Sequence, residues 1–337
     1  MKKTLLKLSL LLFIAGTSLV SCSDDDNNNN TMPQNSIVDI AASNSNFSIL
    51  AQAVERAGLT ATLDGAGQFT VFAPTNAAFN AYLDTTPYDN INEVPVAALK
   101  NLLLNHVIGA EVMSSAVTTG YVNTMSPMGT MANSPMISMY INKSGNTITI
   151  NGGAANGGTT VINESADIDA SNGVIHAVNN VIAIPTIVNH VVANPDFDTL
   201  QAVVTSTSGA FGDQSAVLNA LNSVTASAPV TVFAPNNAAF TAATTGSGFA
   251  VGATPAQVTK VLQYHVSAAG NVRSTQLQNN QSIPTITQPS QNLTVILGGG
   301  NVDIRDSANN LSRVFQADVQ ASNGVIHGVN RVLQPEL

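Results

Sequence analysis

One cysteine, Cys22, is all the thiol chemistry that the 337-residue chain possesses. A lone cysteine excludes an internal disulfide and any zinc site built on a cysteine pair. Charge is scarce as well. Asp, Glu, Lys and Arg make up 9% of the residues, against about 25–35% for an ordinary soluble surface. Asn, Ser, Thr, Gln and small side chains must therefore form most of the exterior. Positive charge is the rarer sign, with 11 Lys+Arg against 20 Asp+Glu. Phosphate binding needs clustered Lys and Arg, so nucleic acid is excluded as a partner. The five histidines form no His-Glu-x-x-His, and no Gly-x-Ser-x-Gly elbow occurs. The glycine runs at 152–158 and 298–300 lack the Lys-Ser/Thr ending of a phosphate-binding loop. The sequence implies no catalytic residue, metal site or cofactor. Beyond residue 20 no stretch is long and apolar enough to cross a membrane. Apolar residues nevertheless make up 44% of the chain, enough for two ordinary cores.

The N-terminus has a purpose of its own. Lys2, Lys3 and Lys7 precede an apolar run from Leu8 to Val20, too short for a spanning helix but suited to a signal-peptide core. It ends in Leu19-Val20-Ser21-Cys22, which resembles the lipobox of bacterial lipoproteins. That resemblance implies cleavage after residue 21 and acylation of Cys22, which accounts for an otherwise unexplained thiol and makes the membrane a partner through several acyl chains. Without residues 1–21 the chain keeps eight basic and twenty acidic side chains, a net charge of −12. Residues 22–36, rich in Asp and Asn, have almost nothing to bury and read as a disordered tether with a mean reach of about 20 Å. Acidic residues after a lipobox resemble the export signal of surface-exposed lipoproteins. A periplasm-facing spacer is the other reading, so the expected location is the cell envelope, at the outer membrane, with the facing left open.

The rest of the chain is written twice. Thr70-Val-Phe-Ala-Pro-Thr-Asn-Ala-Ala-Phe79 returns as Thr231-Val-Phe-Ala-Pro-Asn-Asn-Ala-Ala-Phe240, and Ala170-Ser-Asn-Gly-Val-Ile-His176 as Ala321-Ser-Asn-Gly-Val-Ile-His327. Two motifs repeating in one order mark a duplicated domain, here of about 150 residues. The boundaries are set at 37–185 and 186–337, with almost no slack between Pro185 and Ile187.

Within each copy, Phe47-x-x-Leu50-x-x-x-Val54 has helical spacing. The first box reads as a strand stopped by Pro74 or Pro235 and turned into a helix, with Thr75 or Asn76 suited to cap it. Phe79 and Phe240 then turn back onto the core. A second helix carries Val96, Leu99, Leu102, Leu103 and His106, matched by Val258, Val261, Leu262 and His265. Hairpins with glycine-rich turns follow. Asn172-Gly173 and Asn323-Gly324 predict tight hairpin turns, both residues tolerating positive φ.

These features resemble the fasciclin (FAS1) domain family, present as two tandem copies over nearly all of residues 37–337. The resemblance rests on both boxes: Phe72, Pro74, Asn76 and Phe79 with Phe233, Pro235, Asn237 and Phe240, then Asn172, Gly173 and His176 with Asn323, Gly324 and His327. It implies an α+β fold, each copy a β-sandwich wedge flanked by several helices. It also implies non-catalytic adhesion to extracellular protein or polysaccharide.

The family's Tyr-His pair recurs as Tyr264-His265, whereas the first copy has Asn105-His106. These four residues are the candidate binding positions, since a tyrosine combines an aromatic face with a hydroxyl. The competing reading makes Tyr264 a packing residue at the end of an amphipathic helix. A further alternative is a carrier, with a hydrophobic small ligand in the apolar seam near this pair. Four of the five histidines are matched between copies, only His190 is not, and Asp169 becomes Gln320. The expectation for these histidines is burial with hydrogen bonds to backbone, and for Asp167 and Asp318 that they accept backbone hydrogen bonds.

Overall fold

The computed structural model describes residues 35–129, 134–245 and 250–337. The expected signal peptide, Cys22 and most of the expected tether lie outside the described residues. Ser36, expected to finish the tether, instead begins the fold as the buried N-cap of α1 (Ile37–Ser43). Its hydroxyl accepts the Asp39 N–H, and the Asp39 carboxylate accepts the Ser36 N–H, a reciprocal capping box.

The first repeat continues with α2 (Ser48–Arg56), α3 (Thr60–Leu63), β1 (Phe69–Pro74), α4 (Asn76–Leu83) and α5 (Val96–Leu104). Strands β2 (Val107–Ile108), β3 (Gly120–Pro127), β4 (Met136–Ser144), β5 (Thr147–Ile150), β6 (Thr159–Thr160), β7 (Ile168–Ala170) and β8 (Gly173–Val178) complete it. The second repeat opens with α6 (Ile187–Ala193), α7 (Asp198–Val204) and α8 (Ser215–Ser223), followed by β9 (Val230–Pro235), α9 (Asn237–Thr244) and α10 (Pro255–Tyr264). It closes with β10 (Val266–Ser267), β11 (Ser282–Pro284), β12 (Asn292–Gly298), β13 (Asn301–Arg305), β14 (Leu311–Ala321) and β15 (Gly324–Val329). Among the described residues, no helix is long and apolar enough to cross a membrane.

The two motifs that recur in the sequence lie side by side in space. Strand β1 pairs in parallel with β8, Phe69 opposite Gly173 through Pro74 opposite Val178, and β9 pairs with β15 from Val230–Gly324 to Pro235–Val329. All four strands are buried throughout, as expected of parallel strands covered on both faces. In the first repeat the sheets run β2-β1-β8-β7 and β3-β4-β5-β6. In the second they merge into one, β10-β9-β15-β14-β13-β12-β11. The merger is made by β14, an eleven-residue strand with register shifts around Gln316, where the first repeat has only the short β6 and β7. Bulges of this kind bend a strand so that it can serve two faces.

Each repeat has two apolar clusters. One lies between helices and sheet, around Phe47, Leu50, Phe79 and Ile175 in the first copy and Phe197, Leu200, Val232 and Ile326 in the second. The other fills the opposite face, around Phe72, Met139 and Ile150, and around Phe233, Tyr264 and Val295. The fold is a mixed β-sheet core flanked by helices, made twice.

Candidate functional site

The first box is consumed by structure. Thr75 caps α4 through its hydroxyl and Asn236 caps α9 through its side-chain oxygen. The next residue fastens that helix to its neighbour: Asn76 accepts the Ile49 N–H and donates to Ser45 O, while Asn237 accepts the Thr199 N–H and donates to Pro195 O. Phe72 and Phe79 are 1% and 0% exposed, and Phe233 and Phe240 are 0% and 7%.

The Asn-Gly pairs do their work one residue away from the expected place. Ala170 pairs with Gly173 and Ala321 with Gly324, so the loop residues are Ser171-Asn172 and Ser322-Asn323. The glycines start the outgoing strands with φ of +141° and +155°. A Cβ there would lie 2.0 Å from Phe69 O or 2.1 Å from Val230 O, so close backbone approach, together with positive φ, demands glycine. The asparagine is a tie. Asn172 accepts the Ile37 N–H and donates to Leu63 O, and Asn323 accepts the Ile187 N–H and donates to Leu221 O.

The five histidines are 0–4% exposed. His106 donates from Nδ1 to Leu102 O (2.8 Å) and accepts the Ile182 N–H at Nε2 (2.8 Å). His265 does the same with Val261 O and the Leu333 N–H. His176 and His327 are turned the other way, accepting the Asp167 or Asp318 N–H at Nδ1 and donating from Nε2 to Val112 O or Val272 O. Burial pushes His106, His190 and His265 down to about 4, and His327 downward. Among the described residues no group of three His, Cys, Asp or Glu side chains is placed to hold a metal.

The four candidate binding positions are core positions. Tyr264 and Asn105 are 0% exposed, with His106 at 2% and His265 at 4%. The Tyr264 ring packs among Phe233, Leu293 and Val295, and its hydroxyl reaches Asn292 O and Ser307. Asn105 fills its smaller version of the place by donating to Ala183 O and Ile182 O. An aromatic face used in this way has none left for a macromolecular partner. The seam beside His265, lined also by Phe233, Leu262 and Val266, encloses about 30 Å³, and its counterpart at His106 about 20 Å³. That is room for about one water, far below the few hundred Å³ of a ligand site.

Asp167 and Asp318 do accept backbone hydrogen bonds, each as half of a duplicated clamp. Asp167 takes the Ser114 N–H (2.6 Å) and hydroxyl (2.5 Å), and Asp318 takes the same groups of Ser274. Both aspartates sit at positive φ. In the first repeat a polar cleft of about 300 Å³ opens beside the clamp, with Ser115, Lys143, Asn146 and Asn163 around a floor that includes Ile148 and Val161. Burial raises the Asp167 pKa, but the Ser114 hydrogen bonds, His176 and Lys143 outweigh it and hold the carboxyl below its usual value. Hairpin register puts Leu297 and Gly300 where the first repeat has Lys143 and Asn146.

The largest feature missed by the sequence reading is the seam between repeats. Pro185 O accepts the Ser322 N–H (2.8 Å), as Asn35 O accepts the Ser171 N–H (2.9 Å), so this bond belongs to the fold of each repeat, and the contacts between repeats are made elsewhere. Buried Gln320 donates its N–H to Ser138 Oγ (2.9 Å) and pairs its amide with Asn271. Asn156 and Asn189 bond reciprocally, and the Tyr121 ring stands edge-on to His190 at 5.5 Å. A signal was available: Gln320 and His190 are two of the places where the copies differ. Asp169, the counterpart of Gln320, is exposed.

Residues 45–185 and 197–335 each match the family model of the Fasciclin domain, and the chain belongs to that family. Protein sll1483 of Synechocystis sp. is 35% identical over 149 residues, covering 44% of this chain and 73% of that protein. Transforming growth factor-beta-induced protein ig-h3 of Sus scrofa is 32% identical over 157 residues, covering 46% of this chain but only 20% of that protein. A solved FAS1 domain pair from the insect cell adhesion molecule fasciclin I superposes with a TM-score of 0.51 at 18% identity, over 85% of this chain and 97% of that one. It shares the fold.

Proposed function

We propose that the mature chain is an envelope-anchored adhesion lipoprotein, held by acylated Cys22 and presenting two fasciclin domains to extracellular protein or polysaccharide. The observation that carries this reading is the inward use of every motif residue. Histidines, asparagines and aromatics of both boxes are spent on caps, ties and cores, which leaves recognition to the outer surface. Relatives support it: one structural neighbour is named as a cell adhesion molecule. The cleft beside Lys143 is the first place to test, since a mixed polar rim over an apolar floor suits a sugar ring or a peptide side chain. In a panel of glycans and matrix proteins, the mature chain should bind at least one member. Lys143→Ala should weaken that binding about tenfold, or ~1.4 kcal/mol. Binding that is unchanged in the variant moves the contact elsewhere, and no binding to any member argues against adhesion.

The anchor is tested separately. Cys22→Ser should move the protein from the membrane fraction into soluble or unprocessed forms. A variant still processed and membrane-bound refutes the acylation.

A further inference from the structure

A second cavity distinguishes the repeats. Between α7, α9 and α10 the second repeat encloses about 220 Å³, lined by Phe211, Phe240, Ala243, Val258, Leu262 and Val332 among others. Among the described residues no charged side chain lines it. Among them the lining hydroxyl, on Thr244, donates to Phe240 O (2.8 Å). Phe211, Ala250 and Val258 are only half-buried, so the space reaches the surface. Water there has few partners and is poorly held, and its displacement by an apolar group is favourable.

The first repeat shows what belongs in this space. Helices α4 and α9 leave their boxes in the same register, so Tyr82 and Leu83 correspond to Ala243 and Thr244. The histidines His106 and His265 align α5 with α10, so Leu99 corresponds to Val258. Tyr82 packs half-buried on the first core, and Leu83 and Leu99 are buried in it, at 7% and 0% exposure. The second repeat has lost a phenol ring and several branched carbons from one place while keeping the helices that framed them. An engineered apolar cavity of about 150 Å³ takes up benzene, and this one is larger.

We infer that the second repeat binds a small uncharged apolar molecule of one or two rings in the cavity between Phe240, Ala243 and Val258. The site is independent of the adhesion reading, and among the lining residues it meets the small seam beside His265 only at Leu262. Its ligand has the chemistry of the missing side chains: a flat hydrocarbon ring, with at most one weak polar group.

Toluene is the test compound, added to the full mature chain. It should raise the unfolding midpoint and shift the methyl resonances of Val258, Val261, Leu262 and Val332 in a saturable way. Ala243→Tyr, which restores the first repeat's residue, should weaken binding at least tenfold. Should that variant not fold, Thr244→Leu at an exposed position is the second, with the same loss expected in part. Absence of saturable shifts in the parent chain overturns the inference. So does toluene binding unchanged in the folded variants.

Discussion

Lowering the pH from 7 to 4 should destabilise the protein by an amount comparable to the whole stability of an ordinary domain, ~5–15 kcal/mol. The cause is burial of imidazoles that the unfolded chain would protonate freely. His106, His190 and His265 are pushed down to about 4 in the folded protein, against about 6.5 when unfolded. Above about pH 6.5 each ring is neutral in both states and adds no slope. Between about 6.5 and 4 only the unfolded chain takes up the proton, so stability is lost as pH falls, by about 3 kcal/mol for one such ring. Below about 4 the folded protein also takes up protons and the histidine slope ends. The second repeat holds two of these rings and His327, which burial also lowers. It should therefore unfold at the higher pH of the two, since burial outweighs the Val261 hydrogen bond and Asp306 at His265.

Denaturant titrations at pH 7, 6, 5 and 4, with amide exchange reporting each repeat, would measure this. His265→Gln should reduce the slope by about one proton, or ~1.4 kcal/mol per pH unit. Stability that is flat from pH 7 to 5 would show that these rings are not held neutral by burial.

The sequence announced the strands, caps and hairpins of both repeats because their signals are local. Pro74 and Pro235 stop strands, Thr75 and Asn236 cap helices, and Phe79 follows at core spacing. Its errors lie where geometry depends on residues far along the chain. Asn172-Gly173 predicts the turn one residue late, because Gly173 serves a backbone contact with Phe69, about a hundred residues earlier. Tyr264 carries two readings in the sequence, surface contact and packing at the end of an amphipathic helix, because its partner Asn292 in β12 lies 28 positions further along the chain. Its burial agrees with the packing reading. The seam between repeats joins Ser138 to Gln320, two ordinary polar residues 182 positions apart, and only the mismatch with Asp169 hinted at it. The apolar cavity was legible in principle as the replacement of Tyr82 and Leu83 by Ala243 and Thr244, but only once the helices were known to superpose.

Truncating the box phenylalanines should separate the repeats energetically. Phe79 is fully buried among side chains of the first core, so Phe79→Ala removes a ring from a packed site and should cost about 3–5 kcal/mol. Phe240 borders the 220 Å³ cavity, so part of its surface already lacks contacts and has less to lose. Phe240→Ala should therefore fall at or below the low end of that range, about 2–3 kcal/mol. Because each copy has its own clusters, Phe79→Ala should split calorimetric unfolding of the full chain, with the first repeat melting first. The second repeat should then melt below its parent midpoint as well, since Tyr121 of the first repeat packs against its core and unfolding removes that cover. A Phe240→Ala cost equal to or above that of Phe79→Ala would mean that the cavity does not relieve its ring. A single transition persisting in both variants would mean that the seam through Gln320 couples the repeats into one folding unit.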